Sequence, residues 1–124
     1  MKKLLLSLCA LLFAATLQAQ DPAPRVQTIF LNLMSSVQMA DHAAITLNGD
    51  AAFKAGLTKD MVEKVSAQLA PRMQKGYTTT FLTAMRQAGY EVFIWKLSFK
   101  DGKDDMLAKV VLNKDGQVAG FWIN

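Results

Sequence analysis

The chain is short of the residues that most often carry chemistry. Its 124 residues include one cysteine, Cys9, and one histidine, His42. No second His or Cys stands at a zinc-binding spacing, so we expect no transition-metal site and no cofactor. The sequence also lacks a GxSxG nucleophile pattern and a glycine-rich phosphate loop. These absences argue against metal-dependent, serine-nucleophile and nucleotide-dependent enzymes.

The chain also has no large excess of charge of either sign. The chain carries 14 Lys and Arg against 10 Asp and Glu, a formal charge of +4. Two of the basic residues, Lys2 and Lys3, lie in the N-terminal segment, and the others are scattered without a run or stripe. A nucleic-acid partner is therefore not expected.

The one long apolar run lies at the N terminus. Lys2 and Lys3 precede the run from Leu4 to Leu17, and Leu17-Gln18-Ala19 resembles a cleavage site. The run is shorter than the roughly 20 residues that a membrane span needs. We therefore predict a signal peptide over 1–20, export to the periplasm or beyond, and no membrane span after cleavage. The remaining domain, 21–124, would have no thiol.

The last third of the chain predicts an antiparallel meander. Two Asp-Gly dipeptides, at 101–102 and 115–116, and Ala88-Gly89 separate runs of strand-forming residues. Asp-Gly tolerates positive φ and suits a tight hairpin turn. Four strands are predicted at about 78–87, 90–100, 106–113 and 117–123.

Three of these strands are apolar on both faces. In the second strand one face carries Phe93, Trp95, Leu97 and Phe99, yet Ile94 on the other face is apolar as well. A sheet with one solvated face should alternate, so part of the second face is expected to be covered. A helix or the N-terminal segment, a second subunit packed sheet to sheet, and a ligand groove are the three alternatives.

The first half of the domain is predicted to form helices at about 22–47, 50–55 and 58–75. Asp21 is the expected cap of the first helix, and Thr58 that of the last. The pattern leaves open whether the first helix bends near Asp41 and His42. Helices followed by strands predict an α+β fold, with N-terminal helices packed on a curved, cone-like, four-stranded antiparallel meander.

Candidate catalytic residues are few. His42, with Asp41 and Asp50, is the only set suited to general acid–base chemistry. Adjacent residues on a helix point about 100° apart, so Asp41 and His42 are poorly placed to contact each other. The alternative is that they belong to a polar helix surface or a kink.

Large apolar residues of the meander are the candidates for binding. They either line a pocket or interface between sheet and helices or form the core. These candidates are Trp95, Trp122, Phe93, Phe121 and Met85.

From Leu57 onward the chain resembles a known family. The segments that carry the resemblance are the helix TKDMVEKVSAQL with Gly76 after it, the strand YEVFIWKLSFKDG and the ending VVLNKDGQVAGFWI. They resemble the secreted bacterial domain of unknown function thirty-eight eighty-seven. That family looks like a member of the cone-shaped superfamily named after nuclear transport factor two. The resemblance implies a cone fold and brings no assigned catalytic residues.

Three functions are compatible with these observations. The first is an exported, non-enzymatic domain that binds a small apolar ligand or a partner protein, or that forms a homodimer through the sheet face. The second is a small cofactor-free isomerase or dehydratase that uses the cone pocket. The third is an accessory protein that acts only in a complex, such as an envelope assembly or a secreted immunity pair.

Overall fold

The computed structural model describes residues 21–124, and the predicted signal peptide lies outside them. The helices are α1 (Pro24–Gln38), α2 (His42–Thr46), α3 (Ala51–Gly56) and α4 (Lys59–Gln74). The strands are β1 (Tyr77–Gln87), β2 (Tyr90–Phe99), β3 (Met106–Leu112) and β4 (Val118–Ile123). The strands form one open sheet in the order β1-β2-β3-β4, each pair antiparallel. The predicted α+β fold and its meander are therefore confirmed.

Each strand agrees with its predicted bounds to within one residue. The turn between β1 and β2 shows why the strand bounds could be predicted from turn residues. Gln87 pairs with Tyr90, and between them Ala88 and Gly89 have φ values of 52° and 84°. Two successive left-handed residues are the geometry of the hairpin turn whose twist matches a β-sheet.

The helical half differs from the prediction at two places. Helix α1 begins at Pro24 with Ala23 as its N-cap, not at Asp21, and it has no side-chain cap. Pro24 explains the later start, because the residue before a proline is pushed to the extended conformation that Ala23 adopts.

The predicted first helix, 22–47, is divided in two. Ala40 has a left-handed φ of 53°. Its N–H donates to the carbonyl of Val37, and the Asp41 N–H donates to that of Ser36. This is a Schellman termination with alanine where glycine is usual. Asp41 then caps α2, whose buried residue is Ile45.

The core joins α1 to the inner face of the sheet, which is the face that carries Trp95 and Leu97. Both side chains are almost fully buried. The ring of Phe30 stacks on Trp95 with centroids 3.9 Å apart and planes 4° apart, and Phe81 meets Trp95 edge-on at 5.4 Å. The predicted inner face of β2 is therefore the core face.

The outer face of the sheet is open at several apolar side chains. Met85, Leu107 and Trp122 are 47%, 44% and 50% exposed. A covering helix, one of the three alternatives, is not found among residues 21–124. In the same part of the chain, no helix is long and apolar enough to cross a membrane.

An ion pair fastens α4 to the turn between β2 and β3. The Arg72 Nε donates to Asp101 Oδ2 at 2.6 Å, and its Nη2 donates to the Asp104 carbonyl at 2.8 Å. The guanidinium also lies 4.0 Å from the centre of the Phe99 ring. The hydrogen bond from Arg72, assisted by the Lys103 N–H, lowers the pKa of Asp101 to about 2.

The stack in the core gives the first prediction. Phe30→Ala should lower the free energy of unfolding by about 3–5 kcal/mol, because it removes a fully buried ring and leaves Trp95 without its partner. Urea unfolding measures this. Leu31→Ala is the matched control, since Leu31 is 48% exposed, and its effect should stay within about 0.5 kcal/mol. Equal losses for the two variants would contradict this packing.

The ion pair gives a pH-dependent prediction. Because the folded-state pKa of Asp101 is depressed, its stabilising contribution is complete above the unfolded value of 3.8 and is lost as pH falls towards 2. Asp101→Asn should therefore melt at a lower temperature than wild type at pH 7. The difference between the two melting temperatures should shrink steadily between pH 4 and pH 2. A difference that is constant with pH would contradict a charged pair.

Candidate functional site: an apolar groove beside β4

An apolar groove lies between the edge of β4 and the helices α3 and α4. Its volume is about 430 Å³. The lining is almost entirely apolar and comes from all four helices, the α3–α4 linker and β4: Val37, Ile45, Ala52, Phe53, Gly56, Leu57, Met61, Val62, Val65 and the five residues Ala119 to Ile123.

The β4 wall is held in place by the connector between α2 and α3. Gly49 pairs in parallel with Val118. The Val118 N–H donates to the Asn48 carbonyl at 2.8 Å, and the Asp50 N–H donates to the Val118 carbonyl at 2.9 Å. The start of β4 is thus fixed against the helical layer.

The α3 wall depends on Asp50 and Gly49. The Asp50 carboxylate caps α3 by accepting from the Phe53 N–H at 2.8 Å. The ring of Phe53 lies so close to Gly49 that an added Cβ would be 2.6 Å from it. Glycine at position 49 therefore allows the Phe53 ring to sit against the connector and line the groove.

The α4 wall presents two exposed apolar side chains. Met61 and Val65 are 47% and 41% exposed, whereas Val62 and Leu69 of the same helix are buried. Met61 and Val65 are four residues apart and share one face. The apolar stripe of α4 therefore extends beyond the core on one side, and this exposed margin lines the groove.

The three catalytic candidates do not line this groove. Asp50 caps α3, and Asp41 caps α2 by accepting from the Ala44 N–H at 3.1 Å. His42 Nε2 donates to the Leu57 carbonyl at 2.6 Å, which ties α2 to the α3–α4 linker. All three side chains make contacts that build the walls of the groove.

Asp41 and His42 instead border a separate polar cavity of about 440 Å³, together with Lys59 and Glu63. Within residues 21–124, no group of three or more His, Cys, Asp or Glu side chains is arranged to hold a metal ion.

The five predicted binding residues lie in different places. Phe93 and Trp95 are in the core, and the Trp95 Nε1 is buried without a partner in the described part of the chain. Phe121 lines the groove, and Trp122 borders it with its side chain on the outer face. Met85 lies on the outer face of β1, so only Phe121 and Trp122 come together at the groove.

Sequence reasoning missed Met61 and Val65 as groove residues, because apolar residues at helical spacing are typical of a buried stripe. No signal in the sequence separates them from the core residues of the helix. At about 100° per residue, the apolar set Met61, Val62, Val65 and Leu69 covers an arc of only about 100°, which is the ordinary width of a core-facing stripe.

Comparison with known proteins gives no match, either to a family model or to a curated protein. The resemblance to the cone-shaped superfamily therefore stays a prediction.

Proposed function

We propose that this protein is an exported, non-enzymatic binding domain whose binding surface is the groove beside β4. One observation carries the proposal: Met61 and Val65 stay about half exposed in a concave, apolar setting. Export rests on the predicted signal peptide. The groove would take a small apolar ligand or an apolar segment of a partner protein, such as another envelope protein.

The dimensions of the groove support this proposal. Its 430 Å³ fall within the roughly 300–1,000 Å³ of ligand sites, which are mostly apolar with few polar groups. Burying apolar surface stabilises a complex by about 25 cal/mol per Å². Covering the exposed halves of Met61 and Val65 would therefore contribute about 1 kcal/mol each.

A second candidate surface is the outer face of the sheet. The exposed side chains of Met85, Leu107 and Trp122 lie on it, with Ile94 and Val111 half-buried between them. This arrangement favours the predicted homodimer that packs sheet to sheet. The isomerase or dehydratase alternative gains no comparable support, since its candidate residues make structural contacts.

The proposal predicts saturable binding of an apolar fluorescent dye, such as N-phenylnaphthylamine, in a titration at low protein concentration. Val65→Asp should weaken the dye affinity at least about tenfold, because a carboxylate in an apolar groove must be desolvated or protonated. The helical content should not change, since Val65 is 41% exposed.

Leu31→Asp is the matched control for this titration. Leu31 is 48% exposed on α1 and does not line the groove. Its dye affinity should equal that of wild type. A wild-type protein without saturable dye binding, or an equal loss in both variants, would contradict the proposed function.

A further inference from the structure

The backbone of β4 has a free edge beside the groove. Leu107 and Asn124 exchange both of their backbone hydrogen bonds, at 2.7 and 2.9 Å. Hydrogen-bonded pairs alternate along an antiparallel ladder, so Trp122 also points its N–H and C=O towards β3. Phe121 and Ile123 must then point theirs away, and neither has a backbone partner among residues 21–124.

Only part of this edge is free to pair, and that part is symmetric about one residue. Asn48 and Asp50 already occupy the N–H and C=O of Val118. The stretch that remains runs from Gly120 to Asn124, and its middle residue is Trp122. The two outward-facing residues, Phe121 and Ile123, flank this midpoint.

We propose that this free edge pairs with the same edge of a second copy of the chain, antiparallel, about a two-fold axis at Trp122. In this register Phe121 faces Ile123 of the second copy, which gives four backbone hydrogen bonds between the copies. Trp122 faces itself as a non-hydrogen-bonded pair. The inference rests on the proposed function, since it names the second copy as the occupant of the groove.

The side chains on both faces of β4 fit this register. On the inner face, Phe121 and Ile123 of the second copy would come to lie against Met61 and Val65. On the outer face, the Trp122 ring folds back over Gly120, where a methyl group would overlap it, and lies 4.8 Å from the Lys109 Nζ. Each ring therefore leans away from the axis and leaves room for the two Cβ atoms to meet.

The free stretch from Gly120 to Asn124 also lacks the usual protection against pairing. Natural sheets blunt their edges with charged residues, prolines or bulges. The sequence of β4, VAGFWI, contains no charged residue and no proline. The opposite edge, β1, carries Arg86 and an irregularity between Phe81 and Thr83, whereas the irregularity of β4 falls at Ala119, before the free stretch. The two edges of the sheet differ in a way that directs association to β4.

The size of the contact indicates a reversible dimer. Five residues at about 3.4 Å each give an edge of roughly 17 Å, and a sheet with a helical layer is roughly 20 Å thick. The projected area is about 340 Å² per copy, below the roughly 800 Å² per partner of stable complexes. We therefore expect a weak, reversible dimer that forms only at high protein concentration.

Disulfide trapping tests the register. In a Cys9→Ser background, Trp122→Cys should form an intermolecular disulfide under mild oxidation. The Cβ atoms of a non-hydrogen-bonded pair lie at the short end of the range of about 4.5–5.5 Å, close to the spacing of about 3.5–4.5 Å in a disulfide. Leu107→Cys is the control: it is similarly exposed on the same sheet face but has no symmetric partner at the edge. Cross-linking of Leu107→Cys alone would indicate a sheet-face dimer and overturn the proposal, as would equal cross-linking of both.

Sedimentation velocity over a concentration series tests the backbone bonds. Ile123→Pro removes an N–H that points away from β3, so the monomer keeps its ladder while the dimer loses two hydrogen bonds. We expect its association constant to fall at least tenfold with an unchanged circular dichroism spectrum. A wild-type protein that stays monomeric near 1 mM overturns the proposal, and so does an Ile123→Pro variant that folds and associates normally.

Dye binding separates this inference from the proposed function. If the second copy fills the groove, dye bound per wild-type chain should fall as the protein concentration passes the dissociation constant. Saturable dye binding by a protein that never dimerises would retain the proposed function and reject the dimer. A dimer that never binds dye at any concentration would reject the small-ligand part of the proposed function and keep the edge pairing.

Discussion

The contact of Phe30 with Trp95 is the interaction on which the rest of the structure depends. It places the amphipathic helix α1 against the middle of the sheet, with the two rings parallel at 3.9 Å. Aromatic contacts of this kind combine a large buried area with a defined geometry. Because α1 is fixed in this way, Val37 near its C-terminal end reaches the groove.

The remaining contacts fasten the helical layer at its two ends. Arg72 and Asp101 join α4 to the β2–β3 turn. Asn48 and Asp50 join the α2–α3 connector to the start of β4. Between these attachments α4 runs beside β4 without closing on it, and the space left between them is the groove. The same arrangement leaves the β4 edge and the outer face of the sheet uncovered among residues 21–124.

The sheet could be predicted from sequence because its signals are local. Turn dipeptides and the runs of strand-forming residues between them determine strand bounds without knowledge of the rest of the fold. The break after α1 could not be predicted, because Ala40 adopts a left-handed conformation in which glycine is usual. The groove was missed for a different reason: apolar residues such as Met61 and Val65 look the same in a sequence whether a core or a surface receives them.

The structural roles of the polar candidates could not be predicted from the sequence either. His42 and Asp50 are residue types that suit catalysis, yet here they hold backbone groups of the α2–α4 region. A single sequence gives the chemistry of a side chain but not its neighbours. The two tryptophans differ in the same way. Trp95 is 1% exposed and Trp122 is 50% exposed, although both lie in apolar strands.

The packing of α1 on the sheet is tested most directly by hydrogen exchange of the two indole N–H groups, followed by NMR. We predict that the Trp95 indole, which is buried under Phe30, exchanges only with global unfolding and follows the slowest backbone amides. The Trp122 indole should exchange far faster. Similar, fast exchange at both indoles would contradict a sheet held to α1 through Trp95.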